Sequence, residues 1–151
     1  GRERSRRVLN EALYCHQSPA ATSRYLLSHG TRSEPQKSSG FWLGPAAGST
    51  AAQHSAGGKV LPLGSKKLQA VVREPYAPAG TRYRLLRFTI APGEQLEAKS
   101  MMQDACMFLD GPYRLIRVSL GDVATFRVSP EPLRVLGLGR HIDARRRQLA
   151  R

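Results

Sequence analysis

The chain has 151 residues, 40 % of them hydrophobic, with 24 Lys and Arg against 11 Asp and Glu for a formal net charge of +13. That hydrophobic content supports a compact core and excludes a disordered chain, and the length allows one domain with at most an appendage. No apolar run approaches the length of a membrane-spanning helix, and the opening GRERSRR lacks the apolar segment of a secretory signal, so no membrane partner is expected.

In chain order, residues 1–7 read as a basic N-terminal arm, residues 8–139 as the folded domain and residues 140–151 as a basic tail. Because the first residue is Gly1, the chain is expected to be processed or to be a piece of something longer. The segments ATSRYLLSH and GFWLG read as strands. The stretch KSSGFWLGPAAGSTAAQHSAGG, residues 37–58, is small and nearly uncharged, which predicts close approach of its backbone to something. Inside it, GSTAAQHSAGG predicts one short helix, started by a hydroxyl cap at Ser49 or Thr50 and stopped by Gly57 and Gly58. A helix start of this kind presents unpaired N–H groups and hydroxyls suited to phosphate, ribose or carboxamide groups. Tight packing on a sheet would explain the small residues equally well.

From Lys67 onward, KLQAVVRE, TRYRLLRFTIAP, ACMFLDG, YRLIRVSL, VATFRVSP and LRVLGLG read as short strands separated by Pro and Gly turn signals. The alternation in YRLIRVSL is imperfect: Tyr113, Leu115, Val118 and Leu120 leave Ile116 on the other side, as a bulge would allow. This many short strands predicts an all-β fold, a β-sandwich with one or two short helices. Cys15 and Cys106 match no metal or redox spacing and read as buried free thiols, and the four histidines show no paired spacing, so no metal site is expected. Arginines crowd the two ends without interleaved aromatics, which makes nucleic acid an improbable partner and leaves only salt-sensitive polyanion affinity through the tails.

VLNEALY at 8–14, SSG at 38–40, AAGSTAAQHSAGG at 46–58, VVREPYAP at 71–78 and DACMFLDG at 104–111 follow one another in an order that resembles the C-terminal domain of the NAD kinase family. The likeness covers residues 8 to 138 and is nearest to plant NADH kinases and animal mitochondrial NAD kinases, which carry similar SSG, GST and REP elements. The resemblance implies a β domain that binds NAD or NADH. It implies that Asn10, Glu11, Ser39, Ala47, Gly48, Thr50, Ala51, Ser55 and Asp110 stand at family positions near that substrate. A carboxylate at Glu11 can accept from a ribose or an adenine amine, and Asn10 both donates and accepts. A sharp hairpin turn before Pro112 would by itself explain Asp110.

In complete members ATP with Mg²⁺ phosphorylates the adenosine ribose 2′-hydroxyl of NAD or NADH. A separate N-terminal α/β domain bearing G-G-D-G-T carries the catalytic residues and serves as partner. That motif is absent from these 151 residues, so the polypeptide is expected to bind without turning over. Family members commonly associate through this domain, which implies a possible homo-oligomer. Ser39, Pro45 and Ala52 depart from the family pattern and support an alternative, a non-catalytic interaction domain of the same fold. A basic nucleic-acid-binding module ranks last. The compartment stays open between cytoplasm and an organelle such as mitochondrion, plastid or peroxisome.

Overall fold

The computed structural model describes residues 7–134, with Ile142, Ala144, Arg145 and Gln148 beyond them. Most of the basic tail, most of the basic arm and most of the segment LRVLGLG therefore lie outside the described residues. Ten strands run in chain order: β1 (Ala12–His16), β2 (Ser23–His29), β3 (Arg32–Ser38), β4 (Phe41–Gly44), β5 (Leu68–Val72), β6 (Arg87–Ile90), β7 (Gln95–Ser100), β8 (Ala105–Leu109), β9 (Leu115–Val118) and β10 (Val123–Arg127). They form two antiparallel sheets, one in the order β6-β5-β4-β1-β8-β9 and one in the order β10-β7-β2-β3. The sandwich read from the strand pattern is the observed architecture.

Both sheets contribute their inward side chains to one core. Tyr14 on β1 stacks on Phe41 of β4 with centroids 5.2 Å apart, and Tyr25 of β2 meets both rings at 5.5 and 5.3 Å. Leu27, Val72, Ile90, Leu96 and Val118 fill the space around this cluster. The Tyr25 hydroxyl, which burial would leave costly, shares a hydrogen bond with Ser38 Oγ at 2.8 Å, and burial pushes its pKa up.

Four strands differ from the sequence reading, and β1 (ALYCH) is one that it did not include. β3 (RSEPQKS) is polar and contains Pro35, which an edge strand tolerates because one of its sides needs no ladder bond. Its inward residues are Ser38, which bonds the Tyr25 hydroxyl, and Gln36, whose Nε2 donates to the Leu85 carbonyl while its buried Oε1 has no partner among the described residues. β7 (QLEAKS) turns Leu96, Ala98 and Ser100 inward, only the first of them a large apolar residue, so its apolar signal is weak. In β9 no bulge is needed: Ile116 and Val118 share the inward face, Leu115 is exposed, and Tyr113 and Leu120 lie in the flanking turns. The strand is simply shorter than the segment suggested.

The predicted single helix is also corrected. A 3-10 helix, Ala46–Thr50, is followed by a single α turn, α1 (Ala52–Ser55). Neither has a side-chain cap. The Ser49 hydroxyl turns inward, donating to the Ala46 carbonyl at 2.8 Å and accepting from the Leu61 N–H at 2.9 Å. Pro45 precedes the 3-10 helix in extended conformation, and the turn ends where Gly57 adopts φ 87°.

Candidate functional site

The segment entering β1 is held from two sides. Asp110, at the turn after β8, has a left-handed backbone (φ 50°), and its carboxylate accepts from the Leu9 N–H at 3.0 Å and the Asn10 N–H at 2.7 Å. The Asp110 N–H in turn donates to the Glu11 carbonyl at 2.9 Å, and Arg114 lies 3.5 Å from the carboxylate. Asp110 is thus engaged with the chain's own backbone, beyond what a hairpin turn requires. On the other side the Asn10 carbonyl sits against Gly44 and Gly48. A Cβ on either glycine would overlap that carbonyl far inside any real contact. Part of the small-residue stretch is therefore small because a neighbouring strand's backbone lies on it.

A buried glutamine pair completes the frame. Gln53 of α1, fully buried, points Nε2 at the Asn10 carbonyl at 3.4 Å, and its Oε1 accepts from Gln69 Nε2 of β5 at 3.4 Å. Gln69 closes on Lys59, donating to its carbonyl at 3.1 Å and accepting from its N–H at 2.7 Å. Sequence reasoning missed both glutamines. A polar residue inside the apolar run LQAVV was the available signal.

What this frame presents outward is the exposed Asn10 side chain, exposed Ala51 and Ser55, and half-buried Glu11, Ala47 and Thr50. Glu11 Oε2 is buried without a hydrogen-bond partner among the described residues. Burial first, and the neighbouring Asp110 carboxylate second, push its pKa above the ordinary carboxylate value. The folded state therefore favours protonated Glu11, a contribution present below the unfolded value and lost as pH rises through the raised one. Replacing Glu11 with Gln should hold or raise the urea midpoint at pH 7 and flatten its decline across that window. A clear fall at pH 7 would mean that the ionised carboxylate contributes favourably to folding.

The predicted residues do not all converge. Ser39 lies at the opposite end of β4 from Gly44, about 16 Å away at roughly 3.3 Å per strand residue. There it joins the REP element: its N–H donates to the Arg73 carbonyl at 3.0 Å, its hydroxyl bonds Glu74, and Arg73 lies over the Trp42 ring at 5.6 Å. The SSG and REP elements thus form a second cluster. None of the predicted residues lines the open groove of about 400 Å³ bounded by Arg24, Lys37, Arg82 and Tyr83.

In the first cluster an unpartnered, buried carboxylate oxygen, an exposed amide and small side chains meet. Among the described residues no three His, Cys, Asp or Glu side chains converge on a metal position. No described helix is long and apolar enough to cross a membrane.

No family model matches the chain. A probable NADH kinase of Oryza sativa subsp. japonica is 29 % identical over 135 residues, 85 % of this chain and 42 % of that protein. The NADH kinase of Arabidopsis thaliana is 40 % identical over 86 residues, 57 % of this chain and 27 % of that protein. The chain therefore spans less than half the length of the curated relatives it matches. Among solved structures, yeast NADH kinase complexed with NADH superposes with a TM-score of 0.68 at 13 % identity, over 88 % of this chain and 38 % of that one. An NAD kinase from Archaeoglobus fulgidus in complex with ATP gives 0.60 at 18 %, over 82 % and 49 %.

Proposed function

We propose, from the premise that this chain is a relative of the NAD and NADH kinases folded as their C-terminal β domain, that it is the dinucleotide-binding domain of an NAD(H) kinase. The observation that carries this reading is the frame around Asn10, where Asp110, Gly44, Gly48 and Gln53 fix one short segment and leave the Asn10 amide exposed beside a buried, unpartnered Glu11 oxygen. In this reading Asn10 and Glu11 hold ribose or adenine groups. Thr50 offers a hydroxyl, while Ala47, Ala51 and Ser55 let a flat ring lie close. Gly48 and Asp110 act as positioning residues, and Ser39 contacts the distal end of an extended ligand.

Phosphoryl transfer rests on positioning the acceptor and neutralising charge on the donor. This domain would perform the first task, orienting the adenosine ribose so that its 2′-hydroxyl faces the donor. An N-terminal domain carrying G-G-D-G-T would perform the second, with Mg²⁺–ATP supplying the phosphoryl group. The 151-residue chain should therefore bind NADH yet form no NADPH when given ATP and Mg²⁺. Asn10→Ala and Thr50→Val should each weaken NADH binding by calorimetry, by about tenfold for the amide, equivalent to ~1.4 kcal/mol. Formation of NADPH by the chain alone would overturn the division of labour. Unchanged affinity in both variants would favour the non-catalytic interaction domain suggested by Ser39, Pro45 and Ala52.

A further inference from the structure

Cys15 and Cys106 are 91 residues apart in sequence, yet they face each other directly across the β1–β8 ladder with sulfurs 3.9 Å apart. Both are free thiols. Nothing in the proposed binding function uses them. The reciprocity of the ladder fixes their type of pairing. Asp110 donates to the Glu11 carbonyl and Gln17 to the Asp104 carbonyl, so the opposed pairs at 11/110 and 17/104 are hydrogen-bonded ones. By the two-residue repeat, Cys15/Cys106 is hydrogen-bonded as well, with Cα atoms about 5.5 Å apart. That spacing falls within the disulfide range. The Cβ atoms of such a pair, at roughly 5 Å, are farther apart than the ~3.8 Å a relaxed disulfide prefers.

We propose that Cys15 and Cys106 form a reversible intramolecular disulfide, a covalent modification site on the same ladder that carries Asn10, Glu11 and Asp110. The bond closes with a slight drawing-in of the two strands, and the resulting strain makes it easier to reduce than an ordinary structural disulfide. On the far side of β1, Gly40, at φ 93°, lets its backbone lie directly against Cys15, where a Cβ would come 2.8 Å from the Cys15 Cβ. Cys15 keeps 9 % exposure and Cys106 only 1 %, so an oxidant meets Cys15 first. Burial holds both thiols protonated near neutral pH, Cys106 with a pKa pushed up to about 12, which makes closure slow and faster in mild alkali. In the step, each thiol gives up one proton and one electron as the S–S bond forms. An azo oxidant such as diamide takes up both protons and both electrons at its N=N bond.

The test treats the purified, folded chain with diamide and maps its peptides without reduction. The expected result is joint loss of both thiols, a mass lower by two hydrogens, and a β1 peptide linked to a β8 peptide. Excess glutathione should then restore both thiols while the chain stays folded. Cys15→Ser and, independently, Cys106→Ala should each abolish the linked peptide. Thiols that persist in the folded chain but close after denaturation would overturn the proposal. So would bonds formed only between chains, adducts on Cys15 without closure, or a linkage that glutathione reduces only after unfolding. The readout involves no nucleotide, so failure of NADH binding would leave this proposal standing, and the reverse also holds.

Discussion

Gly48→Ala is expected to weaken NADH binding by at least about tenfold and to destabilise the chain by about 1–3 kcal/mol, the range seen for overpacked sites. The reason is local and rigid. An added Cβ at residue 48 meets the Asn10 carbonyl, carbonyl carbon and Cα, all main-chain atoms that no side-chain rotation can move aside. The Asn10 segment must therefore shift, and its anchors resist: the Asp110 carboxylate holds the Leu9 and Asn10 N–H groups, and Gln53 faces the Asn10 carbonyl. Gly64, where an added Cβ meets nothing within 4 Å, provides the control, and Gly64→Ala should leave both affinity and urea midpoint nearly unchanged. Equal behaviour of the two variants would show that the Gly48–Asn10 contact is not what shapes the site.

Phe41→Ala should cost about 3–5 kcal/mol, the usual loss for a buried aromatic ring. Phe41 is fully buried where the two sheets meet, stacked on Tyr14, tilted against Tyr25 and edge-on to Phe126 of β10 at 5.9 Å. It touches rings from both sheets, so the cavity left behind cannot be closed by moving one of them. With total stabilities commonly of about 5–15 kcal/mol, that loss is enough to leave part of the population unfolded at room temperature. Urea denaturation followed by far-ultraviolet circular dichroism reads it directly. A loss below about 1 kcal/mol would mean that the facing sheets are not packed through this ring.

The sequence was legible where strands alternate apolar and polar residues or run apolar between turn signals, as in β2, β4, β5 and β8. It was opaque where strand identity comes from partners rather than from composition. β3 is held by its ladder to β2, and its Glu34 carboxylate accepts from the Arg84 and Leu85 N–H groups. No pattern within RSEPQKS announces such bonds. The site divides in the same way. Asn10, Glu11 and Gly48 carried a readable resemblance, but contact between Asp110 and Asn10, 100 residues apart, depends on the β1–β8 register. Gln53 and Gln69 escaped notice because a buried glutamine pair becomes recognisable only once its hydrogen bonds are placed. The hydroxyl cap at Ser49 failed for a related reason, since tertiary partners at Ala46 and Leu61 outcompeted the local helix start.

The central claim is that the face bearing Asn10 and Glu11 binds a dinucleotide. Trp42, the sole tryptophan of the chain, lies on β4, the strand that joins that face to the Ser39 cluster. Its emission, followed while the folded chain is titrated with NADH at low and high salt and then challenged with NAD, reports binding directly. The account predicts saturable quenching that NAD reverses and salt barely changes. Quenching that is absent from folded protein, or that vanishes with salt as a contact through the basic residues would, contradicts it.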